Sequence, residues 1–519
     1  MKKIKRYLLF AILKVVVFEL IIFSPKNYFR IRYKILTLWI NQKLGFNMMI
    51  QSDKNGLYTD YYELTMAQGY YLQGRHEHEA TFDYFYRKNP FHGGFVVFSG
   101  LSEFLNQLED FSFSDRELDY LHKQGFNEKF LDYLKSFKFS GDIFSCHEGE
   151  VVFPLEPIVR VSGNIVETQL VESMLLNILN FSSLISTKAL RIRHEAGDRI
   201  FVDFGLRRAQ GLGSMYASRS AFIGGANSSS HVLAGREYDI PVSGTMAHSW
   251  IQSFDSELEA FRAFAEIYPN DCVLLIDTYD TLNSGLENAL IIAKELEQKG
   301  HKLKGVRLDS GDLAYLSKKV RKRLNDAGFH YVSIVASNQL DEYLIRSLNL
   351  QNAPLDVFGV GTSLVTGAKD AALDGVYKMS EFNDTPRLKV SEDITKLNFP
   401  GKKNVLRFYD SENYFYADAV ILEDEDKVDE IIHPHHKQKK CELQNMKSET
   451  LLKPVMKKGS RIDKPTPVKH IADYVKKRIS HIEESVLRLE NPHIYKVGLS
   501  KKLMELRDRI AFDKQQNGG

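Results

Sequence analysis

Val273-Leu-Leu-Ile276 followed by Asp277-Thr-Tyr-Asp280 is a short apolar run that ends in carboxylates and hydroxyls, and the pattern recurs up to Gly361. Residues 303–308 run into Asp309-Ser-Gly-Asp312, 331–335 into Ser337-Asn338, and 357–360 into Gly361-Thr-Ser363. An amphipathic helical stretch separates successive runs, so the rhythm is βα and the strands are expected to be parallel. Strands of this kind close into an α/β barrel whose polar clusters share one rim. Carboxylates, hydroxyls and glycines gathered there suit a phosphorylated, hydroxylated substrate.

Upstream, Leu170, Val171, Met174, Leu175, Ile178 and Leu179 recur at helical spacing within 166–180, and a strand is expected over 199–204. Ser284-Gly-Leu-Glu287 has the form of a capping box, while Gly300 and Gly328 stand where helix C-terminal glycines belong. Clear strands are too few for a regular eight-stranded barrel, so an irregular α/β barrel is expected over 166–378. Residues 51–165 read as an α+β domain, with strands at 80–86 and 94–98 and helix over most of 114–137. Residues 379–519 begin β-prone, at 387–390 and 405–409, and end helical, at 471–489 and 500–510. These two flanking pieces are expected to complete one α+β domain.

A chain of 519 residues can bury a large core and divide into two or three domains. Its net charge is +2, but residues 1–50 hold ten Lys or Arg against Glu19 alone, which leaves the remainder at +2 − 9 = −7. A mildly acidic body argues against a nucleic-acid partner. Cys146, Cys272 and Cys441 are too few and too scattered for a disulfide framework or a zinc site, as expected of a cytoplasmic protein. Lys2, Lys3, Lys5 and Arg6 before the apolar run 7–23 look like a targeting segment, yet Lys14 and Glu19 interrupt it. Each would cost about 2.5–3.5 kcal/mol at the centre of a spanning helix. A membrane anchor is therefore the lesser reading, beside a working protein that begins at Met48 or Met49.

Five motifs carry the chemistry: Leu57-Tyr-Thr-Asp60-Tyr-Tyr62-Glu-Leu-Thr65-Met66, Phe204-Gly-Leu-Arg207-Arg208, Gly244-Thr-Met-Ala-His248-Ser-Trp250, Val306-Arg307-Leu-Asp309-Ser-Gly311 and Phe358-Gly-Val-Gly361-Thr-Ser363. In this order and at these separations the chain, from Leu57 to about Leu506, resembles the nicotinate phosphoribosyltransferases, enzymes of the type II phosphoribosyltransferase fold. The resemblance implies joining nicotinate to 5-phosphoribosyl 1-diphosphate, coupled to ATP hydrolysis through a phosphohistidine. It implies a ligase serving NAD salvage, working with magnesium as a homodimer. Displacing diphosphate builds positive charge on the ribose, so such a site must hold two anionic ends around a cation.

By resemblance His248 accepts the γ-phosphate of ATP, for which an unprotonated imidazole is a suitable nucleophile. Arg207 and Arg307 offer bidentate forks to the diphosphate, and Arg208 either shares that role or pairs with a neighbouring acid. Asp309 and Asp277 suit ribose hydroxyls or magnesium, whereas Asp312 is expected to cap the next helix. Gly359, Gly361, Thr362 and Ser363 are placed for the sugar's 5-phosphate. Phe204 and Tyr62 are candidates to sandwich the pyridine ring. The resemblance brings Tyr62 and the arginine matching Arg87 from the other subunit, and Asp60 belongs with the ribose and phosphate contacts.

In Gly224-Gly225-Ala-Asn-Ser228-Ser229-Ser230-His231, the last four residues stand where the family commonly has Gly-Thr-Ser-Asn. Ser230 keeps a hydroxyl suited to nicotinate, where an aspartate would repel the carboxylate and favour the amide. A nicotinamide phosphoribosyltransferase is the nearest rival, and a membrane-tethered phosphosugar-binding protein without catalysis is a rival of another class. His433-Pro-His435-His436 with Cys441 fits no common zinc spacing and reads as a solvated loop beside Lys437, Lys439 and Lys440.

Overall fold

The computed structural model describes residues 54–389 and 398–516. The N-terminal extension 1–50, with its targeting-like run up to Phe23, and position 390 of the β-prone run lie outside them. Among the described residues no helix is long and apolar enough to cross a membrane.

Six short strands form one parallel sheet: β1 (Ile200–Asp203), β2 (Ser228–Ser229), β3 (Val273–Leu275), β4 (Gly305–Leu308), β5 (Ser333–Ala336) and β6 (Val357–Val360). Their order is β2-β1-β6-β5-β4-β3, and Ser229 of β2 adds a parallel bridge to Val242. The first strand therefore pairs with the last, Phe201 opposite Phe358 and Asp203 opposite Val360. That pairing rolls the sheet into a barrel with one interruption, between the Val242 bridge and β3. Phe201, Leu274, Leu275, Val306, Leu308, Ile334, Ala336, Phe358 and Val360 are buried. Strands covered on both faces read as continuous apolar runs, which made all but the Ser-Ser pair of β2 visible in sequence.

The helices that matter below are α1 (Tyr61–Leu72), α2 (Glu172–Ala196), α3 (Gly213–Ile223), α4 (Val232–Tyr238), α5 (His248–Gln252), α6 (Leu286–Gln298), α7 (Leu313–Asp326), α8 (Glu342–Leu350) and α9 (Thr362–Val365). Helix α2 outruns the expected 166–180 because its apolar face continues through Ile185, Ala189 and Ile192, all buried. Asp312 caps α7 by accepting from the Tyr315 N–H at 2.9 Å. Gly300 and Gly328 take the expected left-handed turn at φ 80° and 88°. The capping box at Ser284 does not form. Asp280 accepts from the Leu282 and Asn283 N–H groups, a π-turn Thr281–Gly285 follows, and the Ser284 hydroxyl donates to Glu257 instead.

A seven-stranded sheet draws on both ends of the chain, in the order Thr385–Pro386, Gly375–Phe382, Glu79–Tyr86, Val159–Asn164, Asp142–Ser145, Lys453–Lys457, Ser460–Arg461. Gly375–Phe382 crosses the expected boundary at Lys378, because Phe82 and Tyr377 stack at 4.8 Å within this sheet. The remaining C-terminal strands build a sheet of their own around Lys403–Tyr409 and Phe415–Leu422. Residues 110–137, with 54–57, form a separate compact unit rather than part of a continuous 51–165 domain. There Ser114 and Glu117 close a true capping box on Asp115–Lys123, and Phe111, Phe113 and Phe137 meet edge to face.

Candidate active site

The interruption in the barrel is spanned by side chains at the carboxyl rim. His248 opens α5, and its Nδ1 lies 3.1 Å from the Thr278 hydroxyl just beyond β3. Its Nε2 faces Asp309 Oδ2 at 3.9 Å. Arg307, on β4, sends Nη2 to Asp309 Oδ1 at 3.0 Å, Nε to the Ser337 hydroxyl at 2.8 Å and Nη1 to the Thr245 hydroxyl at 3.1 Å. Ser337 in turn donates to Asp309 Oδ1 at 2.5 Å. The guanidinium is thus held by three neighbours, the kind of preorganisation that electrostatic stabilisation of an anion requires.

Asp277 stands behind this cluster. Its Oδ2 accepts from the Asp309 N–H at 2.7 Å and the Ser310 hydroxyl at 2.6 Å, while its buried Oδ1 has no hydrogen-bond partner among the described residues. An orphaned carboxylate oxygen suits a hard cation or a sugar hydroxyl. No group of three or more His, Cys, Asp or Glu among the described residues is arranged to hold a metal.

Phe204 follows β1 and lies under Arg307, 5.5 Å from guanidinium carbon to ring centroid. The ring packs so closely on Gly359 that a Cβ there would sit 2.4 Å from it. Gly361 precedes α9, and Thr362 is exposed. The Ser363 hydroxyl is already donated to the Leu340 carbonyl, so for an anion it offers its N–H and not that proton. Arg207 and Arg208 follow Phe204 on an exposed turn, and neither pairs with an acid among the described residues. The alternative of a salt bridge for Arg208 is therefore not realised.

Tyr62, Asp60 and Arg87 are not joined to this cluster by any hydrogen bond or ring contact among the described residues. The Ser173 hydroxyl lies 2.9 Å from Asp60 Oδ2 and 2.5 Å from Glu63 Oε1, its one proton shared between the two carboxyls. Burial, followed by the charges of Glu172, Glu63 and Asp60, pushes the Tyr62 phenol above its ordinary pKa and keeps it protonated. Arg87 lies over Phe85 at 5.7 Å and leaves its buried Nε unpartnered. These residues make no pyridine sandwich with Phe204 inside one chain.

Sequence reasoning missed Asp203, and it quoted Thr245, Thr278 and Ser337 in its motifs and polar clusters without giving them a role. Asp203, fully buried at the end of β1, takes the Gly205 N–H at 2.8 Å and the hydroxyls of Ser218 and Ser229 at 2.8 and 2.7 Å. Its carbonyl accepts from the Ser230 N–H at 2.8 Å, which sets Ser230 beside Phe204 on the rim. The available signal was an aspartate at a strand end directly before Phe204. In the divergent loop, Ser228 pairs with Ser243 at 2.7 Å and His231 begins α4. The histidines at 433–436 form a turn, with His433 Nδ1 accepting from the N–H groups of His435 and His436.

An α/β barrel whose rim gathers an imidazole, two carboxylates, a pinned guanidinium and a glycine turn defines an enzyme that handles a phosphorylated, hydroxylated substrate. Residues 57–180 match the nicotinate phosphoribosyltransferase (NAPRTase) N-terminal domain, 200–412 the nicotinate phosphoribosyltransferase (NAPRTase) family and 402–507 the nicotinate phosphoribosyltransferase C-terminal domain. The nicotinate phosphoribosyltransferase of Bacillus subtilis (strain 168) is 40% identical, over 90% of this chain and 99% of its own. That of Caenorhabditis elegans is 36% identical, over 86% and 92%. The crystal structure of human nicotinic acid phosphoribosyltransferase superposes with a TM-score of 0.78 at 28% identity, covering 87% of this chain and 99% of that one. The chain belongs to the nicotinate phosphoribosyltransferase family.

Proposed function

We propose that the protein joins nicotinate to 5-phosphoribosyl 1-diphosphate, giving nicotinate mononucleotide and diphosphate, and drives the step with ATP through a phosphohistidine at His248. The observation that carries this reading is the convergence of His248, Asp309, Arg307 and Asp277 at one break in the barrel. Thr278 fixes the imidazole through Nδ1, and Asp309 Oδ2 offsets the positive charge the ring gains when Nε2 is phosphorylated or protonated. Arg307, held by three neighbours, neutralises the departing diphosphate with Arg207. The end of β6 and the start of α9 receive the sugar phosphate at Gly359, Gly361, Thr362 and Ser363. Asp277, through its unpartnered Oδ1, would hold a magnesium ion, which would supply charge neutralisation to the diphosphate. Asp309 is the weaker ligand, because its Oδ1 is already engaged by Arg307 and Ser337.

Phe204 supplies one face for the pyridine ring, and Ser230 recognises the carboxylate without adding negative charge. Tyr62, Asp60 and Arg87, unattached to this cluster within one chain, complete the site from a second copy in a homodimer. The three cysteines are free, which suits work in a reducing cytoplasm, and the product feeds NAD synthesis. Parallel turnover measurements with nicotinate and nicotinamide test the reading. Nicotinate should be strongly preferred, and a preference for the amide would transfer the chain to the rival activity.

A further inference from the structure

Helix α4 starts from a histidine whose protonation state is set by its surroundings. The Ser214 hydroxyl donates to the Gly211 carbonyl at 2.8 Å, so toward His231 Nε2, 3.1 Å away, it can only accept. Nε2 therefore carries the hydrogen. Nδ1 is left with its lone pair, and it accepts from the Ala234 N–H at 3.5 Å as the side-chain cap of α4. A second proton would set Nδ1–H against an N–H. The ring is 6% exposed, which leaves no room for it to turn to solvent.

His231 is bound to the rim through its own backbone. Its N–H donates to the Ser229 hydroxyl at 3.0 Å, and that hydroxyl donates to Asp203 at 2.7 Å. Ser230 lies between the two, with its N–H on the Asp203 carbonyl at 2.8 Å. The direction in which the Ser230 hydroxyl points thus depends on the Asp203 lock on one side and on the His231 cap on the other.

We propose that His231 is a positioning residue for recognition of the pyridine carboxylate: in its neutral form it fixes the start of α4 and hence Ser230, and protonating it weakens nicotinate binding. The proposal rests on the activity proposed above. Among the packed elements, β1 contributes Asp203, the charge that acts on the ring. On α3, Arg219 is spent on Glu148 and Glu103, and on α4, Arg236 pairs with Glu237 at the surface. Burial lowers the His231 pKa and Asp203 partly opposes it. With a depressed folded pKa, the cap is intact above the unfolded value of about 6.5 and is lost as pH falls through the lower folded value.

The test measures KM for nicotinate and kcat from pH 5 to 8 in the parent chain, His231→Asn and His231→Ala, with thermal unfolding alongside. Asparagine keeps a capping acceptor and removes the titration. The ratio of parent to His231→Asn KM should rise by about fivefold toward pH 5, the size of one cap interaction, with the kcat ratio nearly constant. His231→Ala should raise KM across the whole range. A ratio that stays flat, or a His231→Ala KM equal to the parent's, overturns the proposal. If His231→Ala fails to fold, the asparagine comparison decides alone. If the parent turns over no nicotinate, the activity reading fails, and amide hydrogen exchange at Ala234 and Gly235 then decides. Protection, taken against the intrinsic exchange rate at each pH, that falls at low pH in the parent but not in His231→Asn supports the cap, and equal protection in the two overturns it.

Discussion

His248 is held at one nitrogen by Thr278 and faced at the other by Asp309, so replacing it removes a nucleophile without disturbing the ring and sugar contacts. His248→Ala should abolish phosphoenzyme formation and ATP coupling while leaving slow, uncoupled transfer. ATP hydrolysis at the parent rate during turnover would refute that role. Glu63 makes a prediction about stability. Burial raises its pKa from 4.5 to about 7, against the hydrogen bonds from Ser173 and Thr59 that pull it down. The folded chain therefore holds a proton that the unfolded chain releases, and this contribution is complete below about pH 4.5 and lost as pH rises through 7. Glu63→Gln should remain about 3 kcal/mol more stable than the parent at pH 8 and match it near pH 5. Urea unfolding at both pH values checks this, and an unchanged pH slope contradicts it. Charged and hydroxyl groups at strand ends stand out in sequence, which made the polar rim legible, Ser337 and Thr278 included. That Ser337, Thr278 and Thr245 hold Arg307 and His248 across the barrel was not legible, being a tertiary fact with no local signature.

Among the elements, five of the six barrel strands were legible because each is an apolar run that ends in polar residues, and β6 falls where its run predicts, at Val357–Val360; β2, the pair Ser228–Ser229, has no apolar run and was read as a loop. The start of α6 was misread. Ser284 and Glu287 have capping-box spacing, but Asp280 binds the same stretch of backbone first, and Gly285 lies against the Ile276 carbonyl. A Cβ on Gly285 would stand 1.9 Å from that oxygen, and backbone cannot yield as a side chain can. Gly285→Ala should therefore cost at least about 3 kcal/mol. Gly300→Ala, at φ 80° in open space, should cost only about 1–2 kcal/mol, the price of a left-handed turn. Chemical denaturation of the two variants compares them directly, and equal losses would contradict the close approach of Gly285.

For the whole molecule, periodicity indicated flanking α+β structure but could not show which sheet each C-terminal strand would join. Strand exchange between distant segments depends on partners such as Tyr377 for Phe82, which a local pattern does not reveal. The ion network that ties the C-terminal sheet together was equally hidden. Fully buried Arg407 binds Asp418 through two bonds, 2.9 and 2.5 Å, and Glu150 at 2.7 Å, and Arg478 joins the same Glu150 at 2.8 Å. Arg407→Met would leave buried Asp418 without a cation, while Glu150 keeps Arg478, and should destabilise the protein by about 3–5 kcal/mol. A loss below about 1 kcal/mol in urea unfolding would contradict it. The central claim concerns what the barrel rim does, and its most direct test is diphosphate release by the purified chain. With 5-phosphoribosyl 1-diphosphate and magnesium present, release should require nicotinate and rise when ATP is added. No nicotinate-dependent diphosphate, with or without ATP, would contradict the account.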